Sequence, residues 1–154
     1  MNGTLTTAAV VSLALLASGA SAQTVGDCDW RASAQAIAEP WQDNTRTFSN
    51  GKTRLTLTDT IEPGAGAFHL VILSPPYSEL GDRQCRVLSY DGSIGFAGVA
   101  FQELSADYDP ARGLLFDVPV QYYDAALGDT TGGWLSFELN QASGAISAYI
   151  GPAE

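Results

Sequence analysis

Positive charge is what this chain has least of: seven Lys and Arg stand against seventeen Asp and Glu, for a formal net charge of −10 at pH 7. The shortage is uneven, since Arg112 is the one base between Asp91 and Glu154, a stretch that holds nine acids. Such a surface repels phosphate backbones and anionic headgroups, which argues against nucleic acid and acidic membranes as partners. The same charge keeps a protein dispersed in solution, so by itself it names no cationic ligand.

Histidine is nearly absent as well. The one imidazole, His69, must carry any His-dependent acid-base or triad mechanism. It lies in the middle of the most apolar strand, residues 68–73, where the structural reading is a neutral, hydrogen-bonded core histidine. There are two cysteines, no CxxC, and too few histidines to complete a zinc site with two thiolates. No phosphate loop, dinucleotide fingerprint or zinc-protease helix motif occurs, and Gly92-Ser93-Ile94-Gly95 does not match a nucleophile elbow. No metal or other cofactor is therefore expected.

Long apolar runs are missing with one exception. Residues 1–22 carry no charged side chain and hold an apolar run over 8–17, followed by Ala20 and Ala22, the small residues a signal peptidase requires. The run is too short to span a bilayer, so it reads as a signal peptide cleaved between Ala22 and Gln23, although no Lys or Arg precedes it. Residues 23–154 then form one β domain, periplasmic or secreted, with no further membrane insertion. In that setting Cys28 and Cys85 are expected to form a structural disulfide, worth up to about 4 kcal/mol in the chain-entropy model.

What is present is turn chemistry and alternation. Near-helical spacing of Trp30, Ala34, Ile37, Ala38 and Trp41, stopped by Pro40, predicts a short N-terminal helix. Asn50-Gly51 predicts a type I′ hairpin with Phe48 opposite Thr53 and on the side of Leu55 and Leu57. Residues 68–73 read as a central strand covered on both faces, stopped by Pro75-Pro76, and 94–108 as one long strand interrupted by Gly95 and Gly98. Leu114, Phe116, Val118, Val120 and Tyr122 alternate with Leu115, Asp117, Pro119, Gln121 and Tyr123, an amphipathic strand that Pro119 places at an edge or a bulge. Residues 124–133 read as the longest loop, and a last hairpin sets Leu135, Phe137 and Leu139 against Ile146, Ala148 and Ile150. The expectation is a mostly β fold: an antiparallel meander of about seven or eight strands, sandwich or up-and-down barrel.

Three functional readings stay open. Asp107, Asp109, Asp117, Asp124 and Glu138 supply the carboxylates a small hydrolase would need if two of them converged. Asp-rich loops at 107–109 and 124–129 offer oxygen ligands for calcium, although turn aspartates ordinarily cap their own backbone. Tyr108, Asp109, Tyr122, Tyr123, Asp124 and Trp134 sit near strand ends, with Tyr123 and Trp134 on the outward face by parity. Exposed rings beside carboxylates stack on sugars, hold cations or anchor protein contacts. The leading expectation is thus a non-enzymatic exported domain that binds a partner protein, glycan or small ligand through Tyr108, Asp109, Tyr123, Asp124 and Trp134. A carboxylate-dependent hydrolase and a lipid- or ligand-carrying barrel are the alternatives.

Overall fold

Hairpin chemistry dictates most of the architecture. In the computed structural model, which describes residues 23–153, the first sheet contains β1 (Thr24–Asp27), β2 (Thr45–Phe48), β3 (Thr53–Asp59), β4 (Phe68–Tyr77) and β5 (Arg83–Ser89). The second contains β6 (Gly98–Val99), β7 (Ser105–Asp109), β8 (Gly113–Asp124), β9 (Asp129–Leu139) and β10 (Ile146–Pro152). Both sheets are antiparallel: the first runs β1-β5-β4-β3-β2, and the second runs β10-β9-β8, with β6 and β7 sharing the far edge of β8. Residues 1–22, where the signal-peptide expectation falls, lie outside the described residues.

The mostly β, antiparallel expectation holds, with ten strands in two sheets that share one core. The β2–β3 hairpin has the expected register, Phe48 opposite Thr53. Asn50 and Gly51 adopt positive φ, 56° and 81°, with Lys52 N–H donating to Ser49 O at 3.2 Å as in a type I′ turn. Ser49 is also at positive φ, 52°, however, and Gly51 N–H donates to Phe48 O at 3.1 Å, so the strands end at Phe48 and Thr53, one pair before the expected Ser49 and Lys52. Along β8, Leu114, Phe116, Val118 and Val120 are buried, and along β9 so are Leu135, Phe137 and Leu139. Phe116 stacks on Phe137 at 4.8 Å and meets Phe48 of the opposite sheet edge-on at 5.0 Å. Each ring contributes about 2–3 kcal/mol by burial, and each aromatic pair about 1 kcal/mol more.

Four expectations need correction. No N-terminal helix forms among the described residues; residues 30–32 and 34–36 make two single 3-10 turns instead. Ser33 and Ile37 are extended, and Ile37 bridges to Thr58 while Ala38 N–H donates to Leu57 O, so pairing with β3 wins over local helical spacing. Pro75-Pro76 does not stop β4, which absorbs both prolines through a register shift between Ser74 and Tyr77. The stretch 94–108 is not one strand: a 3-10 turn at Phe101–Glu103 splits it into β6 and β7. The supposed loop 124–133 is mostly strand, because β8 and β9 pair out to Asp124 and Asp129.

Pro119 illustrates how a proline sits inside a sheet. Its carbonyl accepts from Ala100 N–H at 2.9 Å, so its missing N–H faces the gap between β6 and β7, where no ladder partner waits. Cys28 and Cys85, 57 positions apart, have their Cα atoms 5.4 Å apart and their sulfurs at bonding distance, tying the end of β1 to β5.

Candidate binding face

The two outer faces of the molecule differ. On the first sheet, the alternate residues Thr56, Thr58, His69, Val71, Val87 and Ser89 are all buried although they point away from the main core. The chain passes over them: Arg31 reaches Ser89 of β5, whereas Ile37 bridges to Thr58 of β3, so the intervening turns cross above β4. Beneath lies a polar chain. Asp29 holds Arg31 through Nε and Nη2 at 2.9 Å, Arg31 Nη1 donates to Ser89 Oγ at 2.9 Å and to Gly92 O at 3.1 Å, and Ser89 Oγ lies 2.8 Å from His69 Nδ1. Ser89 Oγ accepts from the guanidinium and shares a further hydrogen bond with Nδ1, so the hydroxyl links the buried imidazole to Arg31. Burial first, then the Arg31 charge, push the His69 pKa down to about 4, with Asp29 opposing. Asp29 is held below the usual carboxylate range, chiefly by its hydrogen bond with Arg31. His69 is 1% exposed and Ser89 0%, so this serine and histidine form a structural polar chain that substrate cannot reach.

The outer face of the second sheet is open. Register places its side chains in rows across β7, β8, β9 and β10: Asp107, Leu115, Glu138 and Ser147; then Ser105, Asp117, Ser136 and Tyr149; then Pro119, Trp134 and Gly151 from β8 to β10. Gln121 and Gly132 follow, and Tyr123 with Thr130 ends the ladder. Trp134, Tyr149 and Tyr123 are 37%, 48% and 44% exposed. Between the first two rows is a concavity of about 330 Å³ lined by Arg112, Leu115, Asp117, Ser136, Glu138 and Tyr149. Arg112 Nε donates to Glu138 Oε2 at 2.7 Å and Nη2 lies 2.6 Å from the same oxygen, which raises the Arg112 pKa above its ordinary value. Ser136 Oγ donates to Asp117 Oδ1. A second concavity, about 430 Å³, adjoins Trp134 and is lined by Gly98, Pro119, Gln121 and Gly132.

The five residues singled out by sequence do not converge. Asp109 is opposite Gly113 at one end of β8, and Tyr123 and Asp124 stand at the other, roughly 30 Å apart at the strand rise. Asp109 Oδ1 accepts from Ala111 N–H at 2.7 Å, and Asp124 Oδ1 from Ala126 N–H at 2.8 Å, so both cap their own turns. Tyr108 is exposed on the edge strand with the parity of the buried Leu114, off the outward face. Tyr122 leaves the surface group entirely and stacks on Tyr90 at 4.8 Å. Trp134 and Tyr123 share the outward face about four residues apart. Tyr149 was missed; strand parity within the last hairpin puts it outward opposite Ser136 and was the available signal. Among the described residues, no group of three or more His, Cys, Asp or Glu is placed to hold a metal ion.

No protein-family model matches this chain, and no curated protein or solved structure matches it either.

Proposed function

We propose that this chain is an exported, non-enzymatic binding domain whose recognition surface is the outward face of the second sheet. The observation that carries the reading is the row structure of that face: Trp134, Tyr149 and Tyr123 lie exposed on β9, β10 and β8, with Asp117, Ser136 and Glu138 between them and a concavity on either side of the Trp134 row. Rings presented from rigid strands with hydrogen-bonding groups at their sides are what a recognition site requires. The paired cysteines support an oxidising compartment, and the apolar run before Ala22 supports the route to it.

Two observations weigh against the rivals. A glycoside-hydrolase pair keeps one carboxyl free to give a proton, but Glu138 is engaged by a guanidinium and Asp117 by a hydroxyl. A carrier barrel keeps interior space for its cargo, and here Phe48, Phe116 and Phe137 fill the space between the sheets. The test is native mass spectrometry of the protein from its host's exported fraction, beside the double variant Trp134→Ala/Tyr149→Ala. A species retained by the wild type and lost from the folded variant is the expected result. Equal retention by both would remove the site from this face.

A further inference from the structure

We infer that the ligand of this face is a saccharide lacking acidic groups, bound with one ring flat against the Trp134 indole; the inference rests on the reading of the face given above. Its starting point is the neighbourhood of Trp134. On the outward face the indole is flanked by Pro119 across the ladder on β8, Gly151 across it on β10, and Gly132 and Ser136 along its own strand. All four are small.

Nothing in the fold demands glycine at two of these positions. A Cβ built on Gly132 would meet only Val120 O, at 3.9 Å, and one on Gly151 only Trp134 O, at 4.0 Å, and neither residue has a positive φ. Glycine in a strand interior weakens the strand and often marks close approach of something else. Elsewhere in this chain the reason is visible: at Gly113 a Cβ would come 2.2 Å from Leu139 O, and at Gly95 2.3 Å from Phe68 O. At Gly132 and Gly151 the consequence of having no side chain is that the indole has bare backbone on two sides. The exposed part of Trp134, 37% of the residue, borders backbone at these two positions and is open to an incoming ring.

The rim decides the chemistry. Gln121 stands opposite Gly132 on one side of Trp134, and Ser136 with Asp117 on the other, so donors and acceptors border the exposed ring. A pyranose has the matching form: a C–H face that lies on an aromatic ring and an edge of hydroxyls that both donate and accept. A peptide hot spot would instead insert into a pocket sealed from water by its surroundings. Charge narrows the class further. Asp107, Asp117 and Glu138 lie on this face with Arg112 as the one base among them, in a chain of net charge −10, so uronic or sulfated sugars are repelled.

The experiment is calorimetric or NMR titration of the exported chain with four neutral oligosaccharides (β-glucan, α-glucan, mannan and N-acetylglucosamine oligomers), an oligogalacturonate, and a lysine-rich peptide. Wild type, Trp134→Ala, Gly132→Thr and Gly151→Thr are compared, with thermal unfolding as the control for folding. At least one neutral oligosaccharide is expected to bind, and binding should weaken about tenfold or more in Trp134→Ala and in either threonine variant. The threonine variants should unfold no earlier than wild type, since the space for a side chain is there. Failure of every neutral oligosaccharide to bind at about 5 mM, or binding that ignores all three substitutions, overturns the inference. If the peptide binds instead and Trp134→Ala abolishes it, the saccharide falls while the face keeps its role; if a ligand binds and no substitution on the face alters it, both fall.

Discussion

Acidification below neutrality should destabilise this protein through His69. The imidazole is buried beside Ser89, faces the Arg31 guanidinium across that hydroxyl, and has its pKa lowered from 6.5 to about 4. The sign follows from linkage: as pH falls through 6.5 the unfolded chain takes up a proton that the folded one refuses, so stability is full above 6.5, declines toward 4, and is flat below it for this group. Between pH 7 and pH 5 the loss amounts to about 2 kcal/mol, rising to about 3 kcal/mol at pH 4. Asp29, held below the ordinary carboxylate value of 3.8, adds its own loss only at lower pH, so the window from 7 to 5 isolates the histidine. Urea unfolding followed by tryptophan fluorescence reads this directly, as a midpoint lower by about 1 M at pH 5 than at pH 7. In His69→Gln the absolute stability changes, but the slope between pH 7 and pH 5 should disappear. A wild-type midpoint that is constant over that window, or a glutamine variant that keeps the wild-type slope, would refute the reasoning.

Two further outcomes follow from the fold. Gly113→Ala places a Cβ 2.2 Å from Leu139 O at a backbone φ of +105°, and should cost about 2–4 kcal/mol in urea unfolding, whereas Gly132→Ala, with open space around its Cβ, should stay within about 0.5 kcal/mol of wild type. Cys28→Ser/Cys85→Ser releases a link across a sequence separation of 57 and should lose up to about 4 kcal/mol, seen as the same midpoint that reductant gives the wild type.

Strand pairing was legible wherever local chemistry specified it. Asn50-Gly51 names its turn and thereby its register, and the alternation from Leu114 to Tyr122 assigns each side chain a face. The last hairpin carries the same information, with Ile146, Ala148 and Ile150 set against Leu139, Phe137 and Leu135. Illegible were elements whose partner is remote. Residues 24–27 have no alternation that a four-residue strand can display, and they become β1 only by pairing with β5. Trp30, Ile37 and Trp41 have helical spacing, but Trp30 and Trp41 end 60% and 56% exposed, because the segment is claimed by Arg31's contacts and by β3. For the site, parity put Tyr123 and Trp134 on the outward face, but it could not reveal that Asp109 and Asp124 are consumed in capping turns at opposite ends of β8.

The contrast between the two outer faces links these observations. A sheet of mixed polarity is kept from water on the first face by a chain segment that is itself anchored through Arg31, Ser89 and the Cys28–Cys85 link, so its one histidine and the fully buried Ser89 are withdrawn from solvent chemistry. The second face has the opposite treatment. Trp134 keeps 37% of its surface exposed beside Gly132 and Gly151, and the neighbouring carboxylates are held by Arg112 and Ser136 and are not spent on turns. Covering the indole would take only a side chain at position 132 or 151, for which the backbone already has room. A partly exposed tryptophan that the fold could shield so simply, and does not, is what the proposed ligand site calls for.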